Sequence, residues 1–155
     1  MDTSPQPDSK VLFRVVDEDG SANVETLWAT HLGANDYKLD NSPFYAYGVS
    51  WEDVVLAPFD AEEGFPTFER VVAKSGNRTV RVIFRTPLEE GNDSDRVLRD
   101  LVALGCSYEG ANRKYFSVNV PRGVDLNSVR AYLIEQKATW EHADPTYAAL
   151  FPEDT

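Results

Sequence analysis

Arg78-Thr79-Val80-Arg81-Val82-Ile83-Phe84-Arg85 opens residues 78–143, the stretch whose reading decides the fold. Its period of two puts Val80, Val82 and Phe84 on one sheet face and Thr79, Arg81, Ile83 and Arg85 on the other, and Pro87 ends the strand. Asn92-Asp93-Ser94-Asp95 then offers capping side chains for a helix bearing Val97, Leu98, Leu101, Val102 and Leu104, which Gly105 stops. Two strands follow, Cys106 to Glu109 and Tyr115 to Val120, around the turn Gly110-Ala111-Asn112. Asp125 caps a second helix that buries Leu126, Val129, Tyr132 and Leu133, with Val124 and Val129 placed as a hydrophobic staple. Trp140-Glu141-His142-Ala143 supplies a last strand. The order βαββαβ predicts a ferredoxin-like sandwich over residues 77–145, with helices on one sheet face and the other face free.

Working outward, residues 10–74 read as strands. Lys10 to Val16 ends in Asp17-Glu18-Asp19-Gly20, a hairpin signal, and Val24 to Ala29 alternates as the return strand. In that return strand Glu25, Leu27 and Ala29 share one face, and Val24, Thr26 and Trp28 the other. Tyr37–Asp40, Trp51–Ala57 and Thr67–Ala73 supply further strands, separated by Asn41-Ser42-Pro43 and the aromatic run Phe44-Tyr45-Ala46-Tyr47-Gly48. Five short strands in this space predict a small SH3-like bent sheet or barrel, so the expected architecture is α+β in two parts. Residues 1–9 read as a disordered leader, not a signal peptide, and residues 146–155 as a tail.

The 155 residues are 42% hydrophobic, enough for a packed core. The net charge of −11 argues against nucleic acid and against anionic membrane, and makes a basic protein partner the more natural one. The charge is uneven. Residues 1–74 hold 14 Asp/Glu against 5 Lys/Arg, and residues 75–155 hold 12 against 10. No stretch approaches the length of a membrane span. Cys106 alone permits no internal disulfide, which fits a cytoplasmic location, and its apolar setting reads as a buried, inert thiol.

His31 and His142 are isolated, so no metal site is expected. Nucleotide-binding glycine loops and nucleophile elbows are absent as well, so neither a cofactor nor a catalytic residue is assigned. Glu25, Asp40 and Asp53 lie beside apolar or aromatic residues that can desolvate a carboxylate. The plainer reading of each is a turn, cap or surface acid. Trp28, Phe44, Tyr45, Tyr47 and Trp51 read either as a recognition patch or as core and interdomain seam. Arg78, Arg81 and Arg85 with Arg113, Lys114 and Arg122 form a basic area that either binds an anion or docks the two parts by pairing with acids of the first.

Val24-Glu25-Thr26-Leu27-Trp28-Ala29, Leu39 to Val49 with Asp53-Val54-Val55, Ser75 to Arg81, and Leu104 to Glu109 carry a resemblance. Over residues 10–143 the chain resembles the bacterial family catalogued as domain of unknown function 4265. The resemblance implies a bacterial, cytoplasmic protein and no assigned activity; it points to the E-T-L-W-A and D-N-S-P-F segments.

Two functions from different classes follow. The leading one is a non-enzymatic binding protein whose acidic first part engages a basic protein, as an immunity protein or inhibitor would. Glu25, Asp40, Asp53, Trp28 and Tyr47 supply its contacts and steering, and Asn41, Tyr45, Arg78 and Arg81 complete the candidate binding residues. The alternative is a sensor or small enzyme whose site lies between the two parts and takes a small anionic ligand.

Overall fold

A computed structural model describes residues 7–17 and 19–154. Residues 1–6 of the expected leader, Glu18 of the first turn and Thr155 of the tail lie outside the described residues. The chain is mixed α+β with antiparallel sheets.

β1 (Ser9–Val16) and β2 (Ala22–Gly33) make the expected hairpin, turned where the Gly20 N–H donates to the Asp17 carbonyl at 2.9 Å. The register sets Phe13 opposite Glu25 and Val11 opposite Leu27, and Val11, Phe13, Val15, Glu25, Leu27 and Ala29 are buried together. Two residues of the expected leader are structured, since the Asp8 N–H bonds the Ala29 carbonyl and Ser9 already belongs to β1.

β3 (Asp36–Leu39) and β4 (Val54–Leu56) follow, then a small hairpin of β5 (Phe59–Asp60) and β6 (Phe65–Pro66), then β7 (Arg70–Ala73). The strand expected over 51–57 is reduced to β4, because Glu52 turns the chain at φ +69°. The five-stranded order is β1-β2-β3-β4-β7, and this sheet does not close into the barrel considered above. A lone parallel bridge from Leu12 to Thr67 spans its two ends.

The second sheet holds β8 (Arg78–Ile83), β9 (Ser107–Gly110), β10 (Tyr115–Val120) and β11 (Thr139–Asp144), in the antiparallel order β11-β8-β10-β9. α1 (Asp93–Ala103) follows β8 and α2 (Leu126–Glu135) follows β10. Val97, Leu98, Leu101, Val129 and Leu133 of the helices pack on Val80, Val82, Phe116, Val118 and Val120. Val102 and Leu104, expected inside, lie beyond the buried stripe and are exposed. Cys106 is buried, and desolvation pushes its thiol up to about 11, so it stays protonated and inert.

The opposite sheet face is not free. Thr79, Arg81, Ser117 and Asn119 are buried on it, and the connection between β3 and β4 meets the first three through Ser50, Ala46 and Pro43. The tail is folded as well. α3 (Tyr147–Leu150) and a 3-10 turn (Pro152–Asp154) bring the Tyr147 and Phe151 rings to within 6.4 and 6.5 Å of His142. No described helix is long and apolar enough to cross a membrane.

Both long helices end alike. The Cys106 N–H bonds the Leu101 carbonyl and the Gly105 N–H bonds that of Val102, with Gly105 at φ +107°. At the end of α2 the Ala138 and Lys137 N–H groups bond the Leu133 and Ile134 carbonyls, but the left-handed position is held by Lys137 at φ +54°. A side chain there costs about 1 kcal/mol. Lys137→Gly should therefore raise the urea midpoint slightly, by a stabilisation of roughly 0.5 kcal/mol or less once the entropy of glycine in the unfolded chain is deducted.

Candidate functional site

A carboxylate on the buried face of β2 needs donors, and the E-T-L-W-A segment finds them in the D-N-S-P-F-Y-A loop. Glu25 accepts the consecutive N–H groups of Phe44, Tyr45 and Ala46 at 2.6, 3.1 and 3.0 Å. The carbonyls of the same three peptide groups then face the second sheet. Ser117 Oγ donates to the Pro43 carbonyl at 2.7 Å, the Tyr115 hydroxyl to that of Phe44 at 2.5 Å, and Arg81 Nη2 to that of Tyr45 at 3.4 Å. Arg81 Nη1 adds the Ala46 carbonyl at 2.8 Å. Three peptide groups thus lie aligned between an anion in one sheet and donors of the other.

Arg81 is 2% exposed, and its Nε pairs with Glu141 at 2.9 Å, its register partner on β11. The seam continues on both sides. Glu109 accepts from Asn41 Nδ2 and the Ser42 N–H, while Asn41 Oδ1 accepts the Trp28 N–H. Asp53, fully buried, takes the N–H groups of Ser50 and Ser75, and Lys74 bridges Asp53 and Asp144 at 2.5 Å to each. Ser50 Oγ donates to Asp144, so Thr79 Oγ1 must be the donor to Ser50 Oγ.

Of the nine residues singled out from sequence, Glu25, Asn41, Asp53 and Arg81 are joined in this seam. The cation docks onto carbonyls and Glu141, not onto acids of residues 1–74. Arg78 donates to the Pro121 and Val124 carbonyls of its own half. Arg113 is spent on the Leu88 carbonyl, while Arg85, Lys114 and Arg122 are exposed, so the six cations form no shared basic face. Trp28 is exposed on the outer face of β2 beneath Lys10, and Asp40 accepts from the Trp51 indole.

Tyr45 and Tyr47 stand at the rim of the seam, each about half exposed. Tyr45 stacks on Tyr115 at 5.8 Å; Tyr47 lies under the Arg81 guanidinium and donates its hydroxyl to Glu141 at 2.8 Å. Burial and the Glu141 acceptor hold both Tyr47 and its proton in place by raising the phenol above its ordinary range. A groove of about 350 Å³ opens here, walled by Val15, Val16, Asp17, Tyr45, Tyr47, Tyr115 and Glu141, with Arg81 in its lining as well. On the far side of Tyr47 and Glu141 lies a cleft of about 550 Å³ bounded by Arg130, Trp140, His142 and Tyr147.

Glu141, Tyr115, Arg130, Tyr147 and the packing of His142 were not anticipated. Glu141 alone carried a sequence signal, because strand alternation puts it beside Arg81 if β11 neighbours β8. Among the described residues no group of three or more His, Cys, Asp or Glu is placed to hold a metal.

A family model described as Domain of unknown function (DUF4265) matches residues 25–143. No curated protein matches the chain. A solved structure, described as a novel crystal structure of a hypothetical protein from Neisseria gonorrhoeae, shares 16% identity over 93% of this chain and 99% of that one, at a TM-score of 0.76. That likeness is one of fold.

The seam should dominate stability. Arg81→Met leaves buried carbonyls without a donor and should cost about 3–5 kcal/mol in urea denaturation. Glu141→Gln, at a half-exposed carboxylate that keeps an acceptor, should cost clearly less.

His142 is held below its usual 6.5 by burial and by the neighbouring Arg130. As pH falls below about 6.5 the unfolded chain takes up a proton that the folded chain resists, so stability present at higher pH is lost on acidification. Urea midpoints from about pH 7 to about pH 5 should fall more steeply for the wild type than for His142→Asn.

Proposed function

We propose, from the premise that the chain belongs to the family described as Domain of unknown function (DUF4265), that it is a non-enzymatic binding protein engaging a basic protein partner, as an inhibitor or immunity protein does. The observation that carries this reading is the rim groove, where aromatic walls and carboxylates occur together. A lysine or arginine side chain entering it would lie against Tyr45 and Tyr115 and meet Asp17 and Glu141, with Arg81, which also lines the groove, buried and held by Glu141 and carbonyls. Each oxygen of Glu141 makes one bond within the chain and keeps a further lone pair for a donor.

Steering supports the same reading. Residues 1–74 carry the balance of 14 acids against 5 bases, and Asp17, Asp19 and Asp40 are exposed around the groove and the adjoining sheet. The contact role expected of Glu25 and Asp53 passes to Asp17 and Glu141, since the former two are buried while Asp17, which bonds Ser21 and Asn23 through one oxygen, and Glu141 are exposed. A ligand site at Glu25, Asp40 and Arg81 is disfavoured, because the seam is filled by its own paired groups.

The βαββαβ order and the strand order β11-β8-β10-β9 support reading residues 77–145 as a ferredoxin-like unit, and the bent open sheet of residues 10–74 supports an SH3-like one. A single buried cysteine agrees with a reducing, cytoplasmic setting.

Capture of tagged protein from native lysate tests the reading. The expected result is a basic protein retained at low salt, released at high salt, and lost from the double variant Asp17→Asn, Tyr45→Ala, whose seam is intact. Retention unchanged in that variant, or capture of nothing basic at low salt, would overturn it.

A further inference from the structure

We propose that the cleft between β11 and α3 is a binding site for a small aromatic monocarboxylate, with the Arg130 guanidinium as the group that receives the carboxylate. This goes beyond the basic-partner reading and does not depend on it. Arg130 projects from α2, donates Nε–H to His142 Nε2 at 3.1 Å, and lays its guanidinium over the Phe151 ring at 4.9 Å. These contacts hold the plane of the fork and use one of its five N–H groups. Arg81, Arg96, Arg99 and Arg113 each have a carboxylate within 4 Å; Arg130 has none among the described residues. It is a half-buried cation whose Nη pair is left for a ligand.

The same contact fixes the state of His142. Because Nε2 accepts from an arginine, which can only donate, the imidazole is neutral with its proton on Nδ1. That Nδ1–H is buried and has no acceptor among the described residues, and His142, 6% exposed, lines the same cleft. Nδ1 itself lies beneath the surface, so the donors the cleft opens to an acceptor are the Arg130 Nη groups.

The walls decide the class of ligand. Trp140, Tyr147 and Tyr47 offer aromatic surface, so the body of the ligand is a ring that stacks. A volume of about 550 Å³ falls in the range of small-molecule sites. Charge then selects a monoanion. The cleft offers one cation, a neutral histidine, and Glu141 on its opposite wall, a balance that repels a phosphate dianion and accepts a single carboxylate.

The test is titration of the full chain with benzoate and indole-3-acetate, followed by heteronuclear NMR at the Trp140 indole and the His142 ring. Saturable shifts at both residues are expected, absent with benzamide and with inorganic phosphate. Arg130→Met should weaken binding roughly tenfold or more, with Arg130→Lys between it and wild type. Tyr147→Ala, at an exposed wall position, should weaken binding with folding intact, which covers the case in which Arg130→Met fails to fold. Equal binding of benzamide, unchanged affinity in both Arg130→Lys and Tyr147→Ala, or no saturable shift with either acid would overturn the proposal.

Discussion

The Glu25 carboxylate is the constraint on which the rest depends. It sits opposite Phe13 on the buried face of the first sheet, where an ionised group without donors would be strongly unfavourable. The nearest donors able to meet it are main-chain N–H groups, and taking Phe44, Tyr45 and Ala46 together bends that segment into a cradle. Peptide geometry does the remainder. With the N–H groups turned to Glu25, the carbonyls must turn outward, and they present a row of acceptors that a buried arginine and two hydroxyls can satisfy.

The second sheet is shaped to that row. Arg81, Ser117 and Tyr115 would suit a solvated face of a sheet equally well, but here their donors meet that row of carbonyls. An arginine fits better than a lysine, since its planar fork reaches several acceptors while Nε is spent on Glu141. Each sheet has its own hydrophobic cluster, and the layer between them is polar and hydrogen-bonded through Arg81, Ser117, Tyr115 and Thr79. Ala46 and Val49 of the same connection enter the first cluster, so this one segment serves a core on one side and the seam on the other.

The rim follows from the seam. A cradle that commits the backbone of residues 43–46 inward leaves the Tyr45 and Tyr47 rings outside, against Tyr115 and over Arg81. Glu141 is shared by Arg81 and Tyr47, and so becomes the wall between an acidic groove on one side and the Arg130 cleft on the other. Recognition surfaces of opposite character thereby adjoin through one carboxylate whose position the seam sets.

Local pattern was enough for much of this chain. Alternation in residues 24–29 grouped Glu25 with Leu27 and Ala29 on one face of a hairpin strand, and capping residues Asn92 and Asp125, with Gly105, marked the helices of the second half. These signals are legible because backbone geometry ties them to neighbours a few residues away. The use of the second sheet face was not legible. Nothing local distinguishes Arg81 aimed at water from Arg81 aimed at carbonyls that lie 35 residues earlier in the chain. The strand expected over 51–57 failed for a related reason, as Glu52 is held at positive φ while its N–H bonds the Leu39 carbonyl across the sheet. So the sequence by itself determined the elements and the hydrophobic faces, which depend on periodicity. Only the tertiary structure decided which charges are buried and which aromatics stay at the rim, because a buried charge is defined by partners that long-range packing brings to it.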